Sequence, residues 1–322
     1  ALFVARRPGT RSYLLDLRDG QLLQTLDSPT DRHFYGHAVF DQRGDWLYST
    51  ENDTSDPGRG VIGVYQLQGQ RLQRHSELAS HGIGPHQLAW MPDIQTLVVA
   101  NGGIRTEADS RTVLNPLEME PSLVLLDRNG TLLSKEQLPQ RQNSIRHLAV
   151  ASDGTIVTAQ QYQGDPADPV PLLAIKRPRQ ALQPFAIAEA QRLTMQQYCA
   201  SVAIHSELRL IALSAPRGNR LFIGGADPTD QEAAERIKFA TQLAPEWVIV
   251  EYDKLMRQVE SQGTSANEVL ENLASSDFDF DVTEEDSSPA ESTEVTTDVE
   301  DAPVVRFLQK MLIDAINMRA SD

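Results

Sequence analysis

The first 222 residues repeat one short pattern four times, and that repetition limits the possible folds more than any other feature of the chain. Each copy opens on a polar or small residue, runs through alternating apolar residues, turns, and continues as a second strand. The copies begin at 36–40, 85–90, 146–150 and 198–202 and lead into 46–49, 96–100, 155–157 and 208–212, with spacings of 49, 61 and 52 residues. Between them lie second hairpins at 61–65 and 122–127, the latter turning at Asn129-Gly130. Period-two alternation bounded by Gly, Asp and Asn turns predicts short antiparallel strands, four to a unit. Units of about 50 residues built this way are propeller blades. The expected fold class is therefore mainly β, an incomplete β-propeller of about four to five blades over residues 1–222. A β-sandwich would turn as often, but it would not repeat the same His-led opening.

Near residue 220 the spacing changes. Residues 220–223 read as a strand leading into a helix whose capping box is Thr229 with Glu232 and whose apolar stripe is Ala233, Ile237 and Ala240. A strand at 247–250 and a second amphipathic helix through Tyr252, Leu255, Met256 and Val259 complete a small α/β fragment over 223–260. Residues 261–301 lose all periodicity. Eleven acidic residues and no basic one fall between Asp277 and Asp301, the signature of an acidic disordered linker. Asp301 as N-cap and Pro303 then open an amphipathic helix over 302–322.

Charge divides the chain in the same way. The net charge is −16, yet residues 1–222 carry 22 basic and 22 acidic side chains, against 7 and 23 in residues 223–322. No basic surface is available for a phosphate backbone, so no nucleic acid partner is expected. No apolar run reaches 18 residues, so no membrane span is expected, and no signal peptide is seen. The chain opens inside a strand-like run and stops just past a helix, so both ends read as cut. A single cysteine, Cys199, excludes an intrachain disulfide and leaves no second thiol for zinc. Cysteine therefore says little about compartment.

The residues that could carry chemistry are the histidines of the repeat. His37, His86 and His147 stand at the openings of three blades, and equivalent positions in a ring converge on its channel. With Glu51, Asn101 and Arg146 close by in the pattern, they could form a metal or small-ligand site, since imidazole is the commonest metal ligand. The plainer alternative is that each histidine pins a loop and joins one blade to the next. Glu51 and Asp53 could pair as acid and base, although a carboxylate pair in a turn is usually solvated. No Gly-x-Ser-x-Gly elbow is present, and Cys199 sits in an expected strand without a local base. No Gly-x-x-x-x-Gly-Lys-Ser/Thr occurs, so the chain has no ATP site of that kind. Gly224-Gly225 before a helix could hold an anion or form a flexible turn, and Lys176-Arg177-Pro178-Arg179 reads as an exposed basic loop. No catalytic residue and no cofactor-binding residue is assigned; a metal ion is the one cofactor these residues suggest. The expected activity is binding of a small ligand or a protein, with a metal-dependent propeller enzyme as the alternative.

Two resemblances add to this reading. Gly36-His37, residues 48–53, 58–65 and 82–86, Asn101-Gly102-Gly103-Ile104, and 144–150 resemble the bacterial seven-bladed propeller proteins of domain of unknown function 1513. That resemblance implies an exported, periplasmic protein often encoded beside iron-uptake genes, with no established activity; this chain departs from it by stopping after roughly four and a half blades. Residues 217–222, 226–229, 237–241 and 301–316 with Ala320-Ser321-Asp322 resemble the type IV pilus extension ATPase family, PilB, of the secretion-ATPase superfamily. This second resemblance covers 217–322, stops before that family's nucleotide-binding core, and implies a cytoplasmic setting with pilus-assembly proteins as partners through residues 223–322. The two settings lie on opposite sides of the inner membrane. A fusion near Ala215 to Ala226 is therefore expected, and an uninterrupted reading frame in independent isolates would overturn it.

Overall fold

The alternation read from the sequence folds into five separate antiparallel sheets. The structure is a computed structural model that describes residues 1–207, 210–225 and the helical residues Glu235, Lys238 and Phe239. The chain divides into one unit over Ala1–Ala226 and another over Asp227–Asp322.

Blade 1 is β1 (Leu2–Phe3), β2 (Arg11–Leu15) and β3 (Leu22–Asp27). Blade 2 is β4 (Arg32–Phe40), β5 (Trp46–Asp53), β6 (Gly60–Gln68) and β7 (Arg71–Ala79). Blade 3 is β8 (Pro85–Trp90), β9 (Leu97–Asn101), β10 (Ser122–Leu126) and β11 (Leu132–Glu136). Blade 4 is β12 (Asn143–Val150), β13 (Ile156–Tyr162), β14 (Leu173–Lys176) and β15 (Gln183–Phe185). After the short helix α1 (Glu189–Thr194), blade 5 is β16 (Val202–His205), β17 (Leu210–Ala215) and β18 (Arg220–Gly225). Within each sheet neighbouring strands are neighbours in sequence, the meander of a propeller blade. The first strands of blades 2 to 5 stand side by side, β4 against β8, β8 against β12 and β12 against β16. These four strands line the axis. On the outer side β3 lies beside β7.

Four hydrophobic clusters fill the four gaps between the five blades. Leu14, Leu26, Phe34, Leu47, Tyr65 and Leu72 lie between blades 1 and 2. The next gaps are centred on Ile62, Leu88 and Val99, then on Val98, Leu148 and Ile156, and finally on Val157, Leu173, Cys199 and Leu213. Blades 2 to 4 are covered on both faces, so their second strands are buried almost throughout, whereas β2 and β17 of the end blades keep exposed or partly exposed positions. In β5 every residue from Leu47 to Asp53 is buried, and so is the whole of β13. Alternation of buried and exposed residues survives where one face meets water, on outer strands such as β7 and on β2 and β16 of the end blades.

The hairpins between strands are closed by aspartates. Asp41 Oδ1 accepts the amides of Asp45 and Trp46, and Asp127 Oδ1 accepts those of Asn129 and Thr131. Gly130, at φ +83°, takes the left-handed conformation that the Asn129-Gly130 turn was expected to need.

Three expectations change. The strand read as opening a second unit is β18, hydrogen-bonded to β17 along its whole length, and Phe222 packs into the cluster between blades 4 and 5. Gly224 and Gly225 belong to that strand, paired with Ile211 and Leu210, and form neither a turn nor a helix start. Tyr198 and Cys199 precede β16, with Tyr198 held in an isolated bridge to Gln161. Cys199 is buried against Met195, and burial pushes its thiol up to about 12, so it is inert. The helices, the strand at 247–250 and the acidic linker expected beyond residue 225 lie outside the described residues, apart from the three helical positions named above.

Candidate functional site

The inner strands of blades 2 to 4 each carry a register irregularity, between Phe34 and Ala38, Pro85 and Gln87, and Ile145 and His147, that aims side chains at the axis. Their positions follow from the register. Phe40, Trp90 and Val150 end these strands opposite Leu47, Leu97 and Ile156. Counting back, Ala38, Leu88 and Leu148 are equivalent, and so are His37, Gln87 and His147. His86 is therefore one place earlier, level with Gly36 and Arg146, where blades 3 and 4 insert an extra residue into the ladder. The blades thus present Gly36-His37, His86-Gln87 and Arg146-His147 to the channel. The three histidines do not share one position, yet the one-residue offset brings their rings together.

The ring centroids of His37 and His86 are 5.1 Å apart, those of His37 and His147 5.2 Å, and those of His86 and His147 4.7 Å. One nitrogen from each ring can be chosen so that all three lie within 4.8 Å of one another. His86 is 5% exposed and the other two are partly buried. Burial, together with the positive charge of Arg6, depresses His37 to about 4. Burial, then the neighbouring His37, Arg146 and Arg6, takes His147 to about 3. His86 is driven well below the usual imidazole value by burial and then by Arg146 and the other two rings. All three are neutral at physiological pH, with a nitrogen lone pair each.

One tautomer follows from the hydrogen bonds. Gln87 Oε1 accepts the backbone amide of Leu148 at 3.1 Å, so the atom that faces His147 Nδ1 at 3.0 Å is an acceptor. Nδ1 of His147 must carry the proton, and Nε2 keeps its lone pair for a ligand. Thr50 holds the backbone of two blades at this level, donating to the carbonyl of His37 at 3.0 Å with that of His86 3.3 Å away. His86 Nδ1 and Arg146 Nε are buried with no partner among the described residues.

Two residues grouped with the histidines from sequence lie elsewhere. Glu51, 0% exposed, sits inside blade 2, accepting from the Tyr65 hydroxyl at 2.6 Å and from Arg74 at 2.8 and 2.9 Å. Asn101, at the end of β9, donates to the carbonyl of Ser80 in the link between blades 2 and 3 at 3.2 Å. Asp53, offered as a partner acid, is paired with Arg59 at 2.8 Å and Arg32 at 3.2 Å. Burial alone would raise it, but hydrogen bonds from Ser55 and Arg59 hold it at about 2. Neither carboxylate is free for acid-base work. Conversely, sequence reasoning missed Arg6, Arg7, Tyr35 and Gln87. Gln87 was legible by aligning the apolar residues that follow the histidines; Arg6 and Arg7 come from a loop outside the repeat and carry no local signal. Two clefts of about 390 and 400 Å³ open on the rim, near Met91 and Arg177 and near Met119 and Arg141, and neither contains a histidine of the triad.

Comparison with known proteins places the parts. The type IV pilus assembly ATPase PilB of Pseudomonas aeruginosa is 39% identical over 107 residues, 33% of this chain and 19% of that protein. Its counterpart from Acinetobacter baylyi is 35% identical over 106 residues, 33% of this chain and 18% of the relative. The chain spans about a fifth of the length of these curated relatives. Among solved structures, the Dos1 propeller is similar over 70% of this chain and 49% of its own, at 7% identity and a TM-score of 0.42. The profile of the family described as protein of unknown function (DUF1513) matches residues 1–268. The PilB match is longer than the segment after residue 268, so the two likenesses overlap along the chain. Since the profile accounts for most of the 322 residues, the chain belongs to the DUF1513 family.

Proposed function

We propose that this protein is a non-enzymatic, ligand-binding propeller whose channel face holds a transition-metal ion through His37, His86 and His147. The observation that carries this reading is the convergence of three neutral imidazole nitrogens within 4.8 Å of one another. Three nitrogen ligands around a tetrahedral ion would stand roughly 3.4 Å apart, so small ring rotations close the site. Imidazole donors suit zinc, copper, iron and nickel. Iron uptake in the periplasm is the setting that the family resemblance implies, and it agrees with that donor set. Gln87 orients His147 and acts as a positioning residue.

Titration of the metal-free full chain with cobalt(II), read by its visible absorption, tests the proposal. One ion per chain is expected, with binding lost when any two of the histidines become Ala. Gln87→Ala is expected to weaken binding on the order of 10- to 100-fold while leaving one site. A chain that takes up no ion, or takes it up equally after the histidines are replaced, overturns it.

A second reading is favoured by the PilB likeness. Residues 223–322 contribute contacts to pilus-assembly proteins rather than ATP hydrolysis, because no P-loop lies within these 322 residues. In this reading the segment is a non-catalytic fragment of a pilus ATPase joined to the propeller by fusion near Ala215 to Ala226. The full chain should then retain pilus-assembly proteins in a pull-down, and a chain ending at Ala226 should not. Equal retention by both, or by neither, removes this reading.

A further inference from the structure

Among the described residues, the arginines near the imidazoles have no acidic partner. Arg6 lies in the loop between β1 and β2 with its stem against Gly36. That glycine has a φ of +106°, and a Cβ built there would stand 3.0 Å from Arg6 Cγ. Glycine at this position therefore lets the arginine approach the strand carrying His37. Arg7 donates to the Tyr35 hydroxyl and to Thr106 Oγ1, both at 2.8 Å, and its guanidinium stands 5.0 Å from the Tyr35 ring centroid. The Tyr35 ring in turn meets His86 edge-on at 6.2 Å. Arg146 passes over Gly102, where a Cβ would be 3.6 Å from its Cδ, and its buried Nε has no partner.

Every other arginine that the interior draws in has a carboxylate: Arg32 meets Asp53 and Glu77, Arg74 meets Glu51, and Arg192 meets Glu189. Among the described residues, no carboxylate pairs with Arg6, Arg7 or Arg146. Arg6 and Arg146 act on the neutral rings, Arg7 stands one residue away on Tyr35, and the buried Arg146 Nε is an unmet donor, so the cluster is positively charged and suited to an anion. The first 222 residues carry balanced charge, so the surrounding blade surface does not repel one.

We propose that the channel mouth binds a small multiply charged oxyanion, a group bearing phosphate or carboxylate oxygens, between Arg6 and Arg146, with Arg7 and Tyr35 at its edge. Planar guanidinium forks match such groups in two-point contacts. The site adjoins the imidazoles and does not depend on a metal.

The metal-free full chain is to be titrated with inorganic phosphate and, separately, with citrate, by calorimetry at low ionic strength. Saturable binding of one equivalent is expected for at least one probe. Arg6→Ala, at an exposed position, should weaken it on the order of 10-fold or more, and Arg146→Ala further. Arg146→Lys serves if the alanine variant does not fold, and should bind more weakly than wild type because a point charge replaces a fork. Absence of binding by both probes, or binding unchanged in Arg6→Ala, overturns the proposal. Cobalt binding is measured in phosphate-free buffer, so failure of the metal site and failure of the anion site are read separately.

Discussion

Arg74→Ala is expected to cost about 3–5 kcal/mol of folding stability, the range for removing one member of a buried ion pair. Glu51 lies at 0% exposure in the second strand of blade 2. Burial pushes its carboxyl up, and the Arg74 guanidinium and the Tyr65 hydroxyl counter that push. With Arg74 gone, the carboxylate must remain charged in an apolar gap or take a proton. Either outcome raises the energy of the folded state alone. On its other side the carboxylate is packed against Gly63, where a Cβ would collide with it, so it has no room to swing away. Urea unfolding should show the midpoint falling with an unchanged slope. Replacing both partners, Glu51→Leu with Arg74→Leu, should cost less than Arg74→Ala, since no charge is then left unpaired. A loss under about 1 kcal/mol for Arg74→Ala would show that the pair is solvated and refute the argument.

Acid is expected to unfold the metal-free protein earlier than its carboxylates alone would require. His37 and His147 titrate at about 4 and about 3 in the folded state, His86 is also depressed, and all three return to an ordinary value near 6.5 on unfolding. The groups that face these rings are Arg6, Arg146, Tyr35 and the rings themselves, and among the described residues no carboxylate offsets them. Between pH 6.5 and about 4 the unfolded chain binds more protons than the folded one. Stability therefore rises with pH through that window and falls as pH drops. Each imidazole contributes at most about 1.4 kcal/mol per pH unit there. The most depressed aspartates, Asp16 and Asp53, titrate at about 2, so their contribution begins below this window. Denaturant midpoints measured from pH 7 to 5 on chelator-treated protein should fall steeply. The fall should flatten when His37 and His147 are both replaced by Gln. A midpoint that is constant across the window, or a slope unaffected by the replacements, would rule out buried neutral imidazoles.

Much of the fold is legible in the chain because a blade is a local object. A strand, a turn closed by Asp127, Asn129 and Gly130, and the next strand are consecutive, and hairpin registers follow from short-range patterns. The openings identify where the inner strands of blades 2 to 4 end, at Phe40, Trp90 and Val150, although β4 and β12 begin at Arg32 and Asn143, four and three residues before the openings read at 36 and 146. In blade 5 the opening was read at Tyr198, four residues before β16 begins, because the apolar run there continues through an irregular stretch. The boundary expected at 222/223 falls inside β18, whose residues 220–225 all pair with β17.

What the amino-acid order determined by itself is the repeat, its blade-like period, the separation of charge along the chain and the presence of three histidines at strand openings. All of these depend on residues near one another in sequence. Only the tertiary structure decided which side chains meet at the axis. An inserted residue in the ladders of blades 3 and 4 moves His86 level with Arg146 and places Gln87 against His147, while Glu51 is held by Tyr65 and Arg74 within blade 2 and Asn101 bonds the Ser80 carbonyl. In a strand, one residue more or less reverses the direction of a side chain, and register is settled by packing between blades rather than by the local pattern.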